Sequence, residues 1–148
     1  MAIVRPYQPS DRDTVLGLAH RLTIGVAPWR DKEAVEEAVT GWIRDAIGGD
    51  GGGVLVAVVD DRVVGLVTVG ERRHFAGEVD AYVGELVVDG GSEGRGIGTL
   101  LMAAAEQWGR ERGLRHLTLE TGAANRHARE FYAARGYQEE DVRLTKAL

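Results

Sequence analysis

Cysteine is absent from the 148-residue chain. Disulfides, thiolate nucleophiles and ordinary structural zinc sites are excluded together, and an intracellular, cytoplasmic location is the expectation. A basic excess is missing too: 18 Lys plus Arg stand against 23 Asp plus Glu, a formal net charge of -5. Nucleic-acid binding needs a basic face that neutralises phosphates, so no nucleic-acid partner is expected. One local basic mouth remains compatible with that balance, because an anionic ligand responds to the field in its own cleft. No stretch approaches eighteen uncharged apolar residues, so no membrane span is expected. Met1 to Pro6 carries no signal-peptide hydrophobic run. The four histidines are scattered without metal-ligand spacing, and no metal is expected. What is present is 44% apolar residues, ordinary for one globular core, in a length that suits a single domain over residues 1–148.

Hydrophobic periodicity gives an element order. Ile3 to Tyr7 reads as a first strand stopped by Pro9, and Ser10 or Asp11 is placed to cap a helix over Asp13 to Leu22. Asp31 begins a second helix with Val35, Ala38, Val39, Trp42, Ile43 and Ala46 at helical spacing, ended by Gly48-Gly49. Val54 to Val59 is a continuous apolar run, which suits a strand covered on both faces. Asp60-Asp61 turns it into Val63 to Gly70, a hairpin whose turn type stays open. Arg72 to Asp80 reads as an exposed connection, followed by a strand from Ala81 to Val88. Ile97, Leu100, Leu101, Ala104, Ala105 and Trp108 mark a helix over Ile97 to Arg112. His116 to Glu120 is a strand, Asn125 to Arg135 a helix, and Tyr137 to Glu139 with Val142 to Thr145 a closing strand pair. The order β-α-α-β-β-β-loop-α-β-α-β-β predicts an α/β, three-layer arrangement around a mixed sheet.

The segment Val88-Asp89-Gly90-Gly91-Ser92-Glu93-Gly94-Arg95-Gly96-Ile97-Gly98-Thr99 holds the strongest chemical signal. A strand feeds a glycine-dense loop, and the loop opens an amphipathic helix. First-turn N–H groups lack intrahelical partners and point outward at the positive end of the dipole. Glycines at 94, 96 and 98 remove side chains that would hold a phosphate away, so the turn reads as a pyrophosphate cradle. Thr99 could add a hydroxyl and Arg95 a positive charge. The competing reading is a turn that is glycine-rich only because backbones pass closely. Its late position after a hairpin argues against a dinucleotide fold, and no Gly-Lys-Ser or Gly-Lys-Thr follows.

Val88, Gly96 and Gly98 match the characteristic stretch of the GCN5-related N-acetyltransferase (GNAT) superfamily, and the element order resembles that family over essentially the whole chain. The resemblance implies an acyl-CoA fold whose mixed, mostly antiparallel sheet splays between its fourth and fifth strands. It implies acetyl-CoA as cosubstrate, acetyl transfer to a primary amine by direct attack in a ternary complex, and a possible homodimer. A small-molecule amine acceptor is favoured over a protein, and a non-catalytic acyl-CoA sensor is the rival reading. Two departures stand out. Gly90 replaces the proline of many relatives, and Glu93 stands where arginine or glutamine is expected. A carboxylate beside a pyrophosphate is unfavourable unless it points outward or pairs, with Arg95 as the expected partner.

By the same resemblance, Leu86, Val87 and Val88 contact the pantetheine arm mostly through backbone, Gly94, Arg95, Gly96, Ile97, Gly98 and Thr99 hold the pyrophosphate, and Asn125 adds a hydrogen bond to the cofactor. Asn125 is also a natural helix cap. Tyr132, seven residues on, lies on nearly the same face and is implied to protonate or contact the departing sulfur. Glu85 is the chosen general base, since attack requires an uncharged amine and burial would raise a carboxylate's pKa toward a useful range. Binding a cationic acceptor or a purely structural role stay open for it, and Glu71, His74, Glu120 or a water chain are the other bases considered.

Overall fold

A computed structural model of the chain describes residues 1–49 and 53–148. Its elements are β1 (Ala2–Pro6), α1 (Arg12–Leu18), α2 (Lys32–Gly48), β2 (Val54–Val59), β3 (Arg62–Arg73), β4 (Val79–Val88), α3 (Ile97–Glu111), β5 (Leu117–Leu119) and α4 (Arg126–Ala134), with a 3-10 turn at Ala19–Thr23 after α1. The strands form one sheet in the order β1-β2-β3-β4-β5. All pairings are antiparallel except β4 with β5, which is parallel. Among the described residues no helix is long and apolar enough to cross a membrane.

The apolar run of β2 is divided between the two faces. Val54, Val56 and Val58 join Val15, Leu18, Ile43, Leu66 and Val87 in a core under α1 and α2. Ala57 joins Val67, Val83, Ile97, Leu101, Met102 and Ala105 in a second core under α3. The sheet is thus the middle of three layers, and its β2 strand is apolar throughout because neither face meets water. Asp60 and Asp61 both have positive φ, 49° and 62°, the left-handed pair that a two-residue type I′ hairpin turn requires.

Several expectations are corrected. The β3–β4 hairpin reaches Arg73 and Val79, so the connection is only residues 74–78. Charges at 71–73 read as loop in the sequence, but strand ends that project beyond the helices can carry charge. Asp11 does not cap α1: its carboxylate turns back to accept two hydrogen bonds from Arg5, at 2.8 and 2.9 Å, and one from the Gln8 amide. That bidentate partner holds the Asp11 carboxyl below its ordinary pKa. On α3 the buried stripe is Ile97, Leu101, Met102, Ala105 and Gly109, with Leu100 exposed, one position round from the expected line. The closing strand pair is not formed. Tyr137 is the last residue packed on the core, and residues 138–148 adopt no regular structure. An alternating sequence becomes a strand only where another strand accepts its hydrogen bonds, and this chain supplies none there.

Candidate active site

The site is built on an interruption in β4. Val67 pairs with Leu86 and Val69 with Val83, so Gly84 and Glu85 together face Thr68 alone. This β-bulge inverts the strand's alternation. Val83 packs under α3, whereas Val87 packs under α1 and α2. The alternation that would place Ala81, Val83, Glu85 and Val87 on one face is thereby broken at the inserted residue. Thr68 fills the bulge. Its hydroxyl accepts from the Glu85 amide at 2.9 Å and donates to the Glu85 carboxylate at 2.5 Å. Burial pushes the Glu85 pKa up, and the Thr68 hydrogen bond works against that rise by favouring the charged form.

Beyond the bulge the sheet opens. β4 and β5 pair only over Ala81–Val83 and Leu117–Leu119, and past that point the two strands are no longer joined. The Asp89 amide donates to Val64 on β3, so the carbonyl on the other side of the same peptide, that of Val88, faces the split. By alternation Leu86 presents its backbone groups to the split as well, while Val87 turns its own toward Leu66.

The split leads to the start of α3. Gly96 is its N-terminal flanking residue at φ 78°, and no side chain caps the helix. Gly94 shares that φ, and a Cβ at either glycine would meet nothing within 4 Å. No side chain therefore crowds these two glycines, and an uncapped helix start of this kind can receive an anion. Gly98 has a different reason for being glycine. A Cβ there would sit 3.2 Å from the Phe131 ring, so the position serves the docking of α4 on α3. Ile97 is buried in the core under α3. Arg95 lines a separate groove of about 250 Å³ with Asp60, Arg62, Asp89 and Ser92. Thr99 accepts hydrogen bonds from the guanidinium of Arg135, which also lies 3.6 Å over the Phe131 ring. Arg135 thus stands beside the first turn of α3. Arg129 is engaged by Glu139 at 2.6 Å.

Glu93 is paired, but not with Arg95. Arg21, from the 3-10 turn after α1, donates to the Glu93 carboxylate through Nη2 and to the Val88 carbonyl through Nε at 2.8 Å. A Cβ at position 90 would lie 2.9 Å from Arg21 Nη1. Both departures from the family pattern, glycine at 90 and glutamate at 93, therefore meet at one guanidinium. No sequence spacing signals this arginine.

Asn125 caps α4 by accepting from the Ala128 amide at 3.1 Å. With its oxygen committed, its Nδ2 is the group left for a ligand, and it now points at the Ile24 carbonyl 3.5 Å away. The loop after the 3-10 turn closes tightly here: a Cβ on Gly25, at φ 83°, would fall 2.2 Å from Asn125 Cβ. Tyr132 packs edge-on between Phe131 and Tyr137, with ring centroids 5.2 and 5.7 Å away. Burial pushes its phenol up to about 12. On the α2 side of the bulge, a groove of about 260 Å³ is lined by Ala46, Val54, Thr68, Gly70, Tyr82 and Gly84. Arg72 covers the Tyr82 ring at 4.6 Å and pairs with Glu120 at 2.8 Å.

Two other candidate bases are set apart, whereas Glu120 follows Leu119, the partner of Val83, at the end of β5. His74 sits in the β3–β4 turn, where its Nδ1 accepts from the Ala76 amide at 3.0 Å. Six residues of strand separate it from Thr68, roughly 20 Å at 3.3 Å per residue. Glu71 is exposed, opposite Ala81. One cluster was invisible to spacing rules. Strand pairing brings Glu78, Asp80 and His116 together with ligand atoms within 4.8 Å of one another. Its members already engage one another and Thr118, with His116 Nδ1 3.1 Å from Glu78 and the Thr118 hydroxyl donating to Asp80 at 3.1 Å.

Comparison with known proteins agrees with this geometry. An aminoalkylphosphonate N-acetyltransferase of Salmonella typhimurium is 34% identical over 98 residues, covering 63% of this chain and 61% of the relative. An uncharacterised N-acetyltransferase of Methanocaldococcus jannaschii is 34% identical over 100 residues, covering 63% of this chain and 42% of the relative. The matched stretch thus spans less than two thirds of either curated relative. The solved structure of the aminoglycoside N-acetyltransferase AAC(6')-Iy in complex with CoA superposes with a TM-score of 0.75 at 18% identity, covering 99% of this chain and 95% of that one, a likeness of fold. Residues 18–137 match the acetyltransferase (GNAT) family, and with the split sheet and uncapped glycine-flanked helix in view, the chain belongs to that family.

Proposed function

We propose that the protein transfers an acetyl group from acetyl-CoA to a primary amine of a small molecule by direct attack in a ternary complex. The observation that carries this reading is the continuous path from the Glu85 bulge, through the β4–β5 split, to the open amides at the start of α3. The cofactor supplies an activated thioester carbonyl. The chain supplies the rest. Amides at the start of α3 and the Arg135 guanidinium bind the pyrophosphate, with Gly94 and Gly96 leaving room for it. Backbone groups of Leu86 and Val88 at the split align the pantetheine arm, and a backbone N–H near the bulge faces the developing oxyanion.

Glu85 takes the ammonium proton, directly or through water. Its pKa, raised by burial, makes its carboxylate a stronger base than that of a solvent-exposed glutamate. Tyr132 orients and stabilises the departing sulfur by donating a hydrogen bond. A phenol near 12 does not give up its proton fully to a thiolate whose acid has a pKa of about 8.5. The groove beside Thr68 and Tyr82 receives the acceptor. Relatives named for aminoalkylphosphonates and aminoglycosides support a small amine, and both are amines outside proteins. This chemistry assigns no role to a metal.

The test is a screen of amine classes for free-thiol release with acetyl-CoA, repeated with E85Q and Y132F, alongside calorimetry with coenzyme A. Thiol release with one class, lowered in both variants while coenzyme A still binds, is expected. Full rates over the whole pH range in both variants would remove Glu85 and Tyr132 from the mechanism. Coenzyme A binding without transfer to any amine would favour the sensor reading.

A further inference from the structure

The end of the β4–β5 pair remote from the split carries an imidazole and two carboxylates that acetyl transfer does not use. Glu78 and Asp80, two residues apart, share one side of an extended backbone. The pairing of Ala81 with Leu117 sets His116 beside them, and the Ala81 amide donates to the His116 carbonyl at 2.9 Å. The three side chains thus project from backbone that the sheet already fixes.

Burial separates this group from an ordinary solvated cluster of charges. Asp80 is 8% exposed. Its Oδ2 accepts from the Thr118 hydroxyl at 3.1 Å, whereas its Oδ1 receives no hydrogen bond among the described residues and stands 3.8 Å from His116 Nδ1. No Lys or Arg among the described residues pairs with Glu78 or Asp80. The nearby guanidiniums are committed: Arg72, opposite Asp80, to Glu120, and Arg73 to the Gly77 carbonyl. A carboxylate taken this far from water needs a counter-charge or a full set of hydrogen bonds, and Oδ1 has only the imidazole in view.

The spacing is that of coordination. Zinc holds imidazole nitrogen and carboxylate oxygen at about 2.0–2.2 Å, so two ligand atoms on a tetrahedral ion stand roughly 3.4 Å apart. His116 Nδ1 lies 3.1 Å from Glu78 Oε1 and 3.8 Å from Asp80 Oδ1, on either side of that value. Thr118 fixes the Asp80 carboxylate from behind, as outer hydrogen bonds orient metal ligands elsewhere. Glu78 and His116 are exposed, which leaves a way in from solvent. An imidazole among the ligands selects zinc over magnesium and calcium, which take oxygen alone.

We propose that Glu78, Asp80 and His116 bind one zinc ion, with solvent in the fourth place, as a clamp between the β3–β4 turn and β5. β5 is joined to β4 over three residues only, so a metal bridge from His116 to residues 78 and 80 secures the closed end of a pair whose other end is split. The ion stands apart from acetyl transfer, and the site does not depend on that reading.

The full chain, stripped with EDTA and dialysed against micromolar zinc chloride at neutral pH, is expected to retain one zinc per chain. With only four histidines, imidazole nitrogen NMR reports the ligand directly. Zinc should shift Nδ1 of His116 and leave the other three rings unchanged, and magnesium or calcium should shift none. Loss of an outer partner costs about 10- to 100-fold in metal affinity, so H116A and E78A, which remove ligands at exposed positions, should lose at least as much. H127A should bind as wild type does. Zinc should raise the melting temperature of wild type but not of H116A. A wild type that retains no zinc, or one whose His116 nitrogen does not respond to it, would overturn the proposal, whether or not the variants fold.

Discussion

Arg21 and Glu93, seventy-two positions apart, form an ion pair that fastens the 3-10 turn behind α1 to the loop that opens α3. The same guanidinium holds the Val88 carbonyl. A carboxylate that would repel a pyrophosphate is thereby neutralised from another element of the fold, and the neutralising group stands against the cofactor's path.

This pair predicts two opposite changes that cancel. R21A leaves Glu93 uncompensated and should weaken coenzyme A binding, while E93Q frees a cation and should tighten it. A partly exposed pair of this kind is worth up to about 1 kcal/mol, so each single change should move Kd by roughly 2- to 5-fold. The double variant should return near wild type. Calorimetry on the four proteins checks it, and single changes that shift Kd in the same direction, or not at all, would show that the pair does not govern affinity.

Glu85 predicts two pH effects of defined sign. Thr68 favours the charged carboxylate, so T68V should raise the Glu85 pKa further and move the acid limb of kcat/KM to higher pH. Stability responds separately. A carboxyl whose folded pKa is raised stabilises the fold fully only below its ordinary value of 4.5, and the contribution is lost as pH rises through the folded value. E85Q should therefore melt higher than wild type at neutral pH, with the difference closing below that ordinary value. Equal melting temperatures at every pH would contradict the burial.

Y132F removes a donor without removing the ring that packs between Phe131 and Tyr137. A hydrogen bond to a charged group contributes about 1.5–3 kcal/mol, so kcat should fall roughly 10- to 100-fold with coenzyme A affinity unchanged. With its phenol near 12, Tyr132 should produce no basic limb in the range where assays are run. Acyl-donor thioesters with better leaving groups should suffer less from the substitution.

Two glycines in one motif should fail differently. G96A puts a side chain at φ 78° over the open amides, with nothing near it to clash. It should cost roughly 1–2 kcal/mol of backbone strain and most of the affinity for coenzyme A. G98A presses a methyl onto Phe131 and should lower stability by about 1–3 kcal/mol through α4 docking. Urea titration and calorimetry, run side by side, separate the two.

The cradle and the helices around it were legible because their signals are local. The glycines at 94 and 96, the apolar stripe beginning at Ile97 and the cap at Asn125 each sit within one or two turns of what they organise. The rest depends on pairings between distant segments. Thr68 meets Glu85 only once register is set, and the extra residue at Gly84–Glu85 cannot be counted until β3 lies opposite. Arg21 looks like any helix-end arginine until the fold carries it to Val88. The apolar alternation at Val142 and Leu144 was read as part of a strand pair that does not form, since among the described residues no strand pairs with this segment.

The bulge in β4 has a mechanical consequence. Upstream of Gly84, Val83 loads the α3 layer, and downstream Val87 loads the α1–α2 layer. A displacement of either layer reaches the other through the two residues that make the inversion, and one of them is Glu85. The proposed proton acceptor therefore sits at a fulcrum. Repacking α2 or α3 many ångströms away should retune its orientation before it disturbs anything else in the sheet.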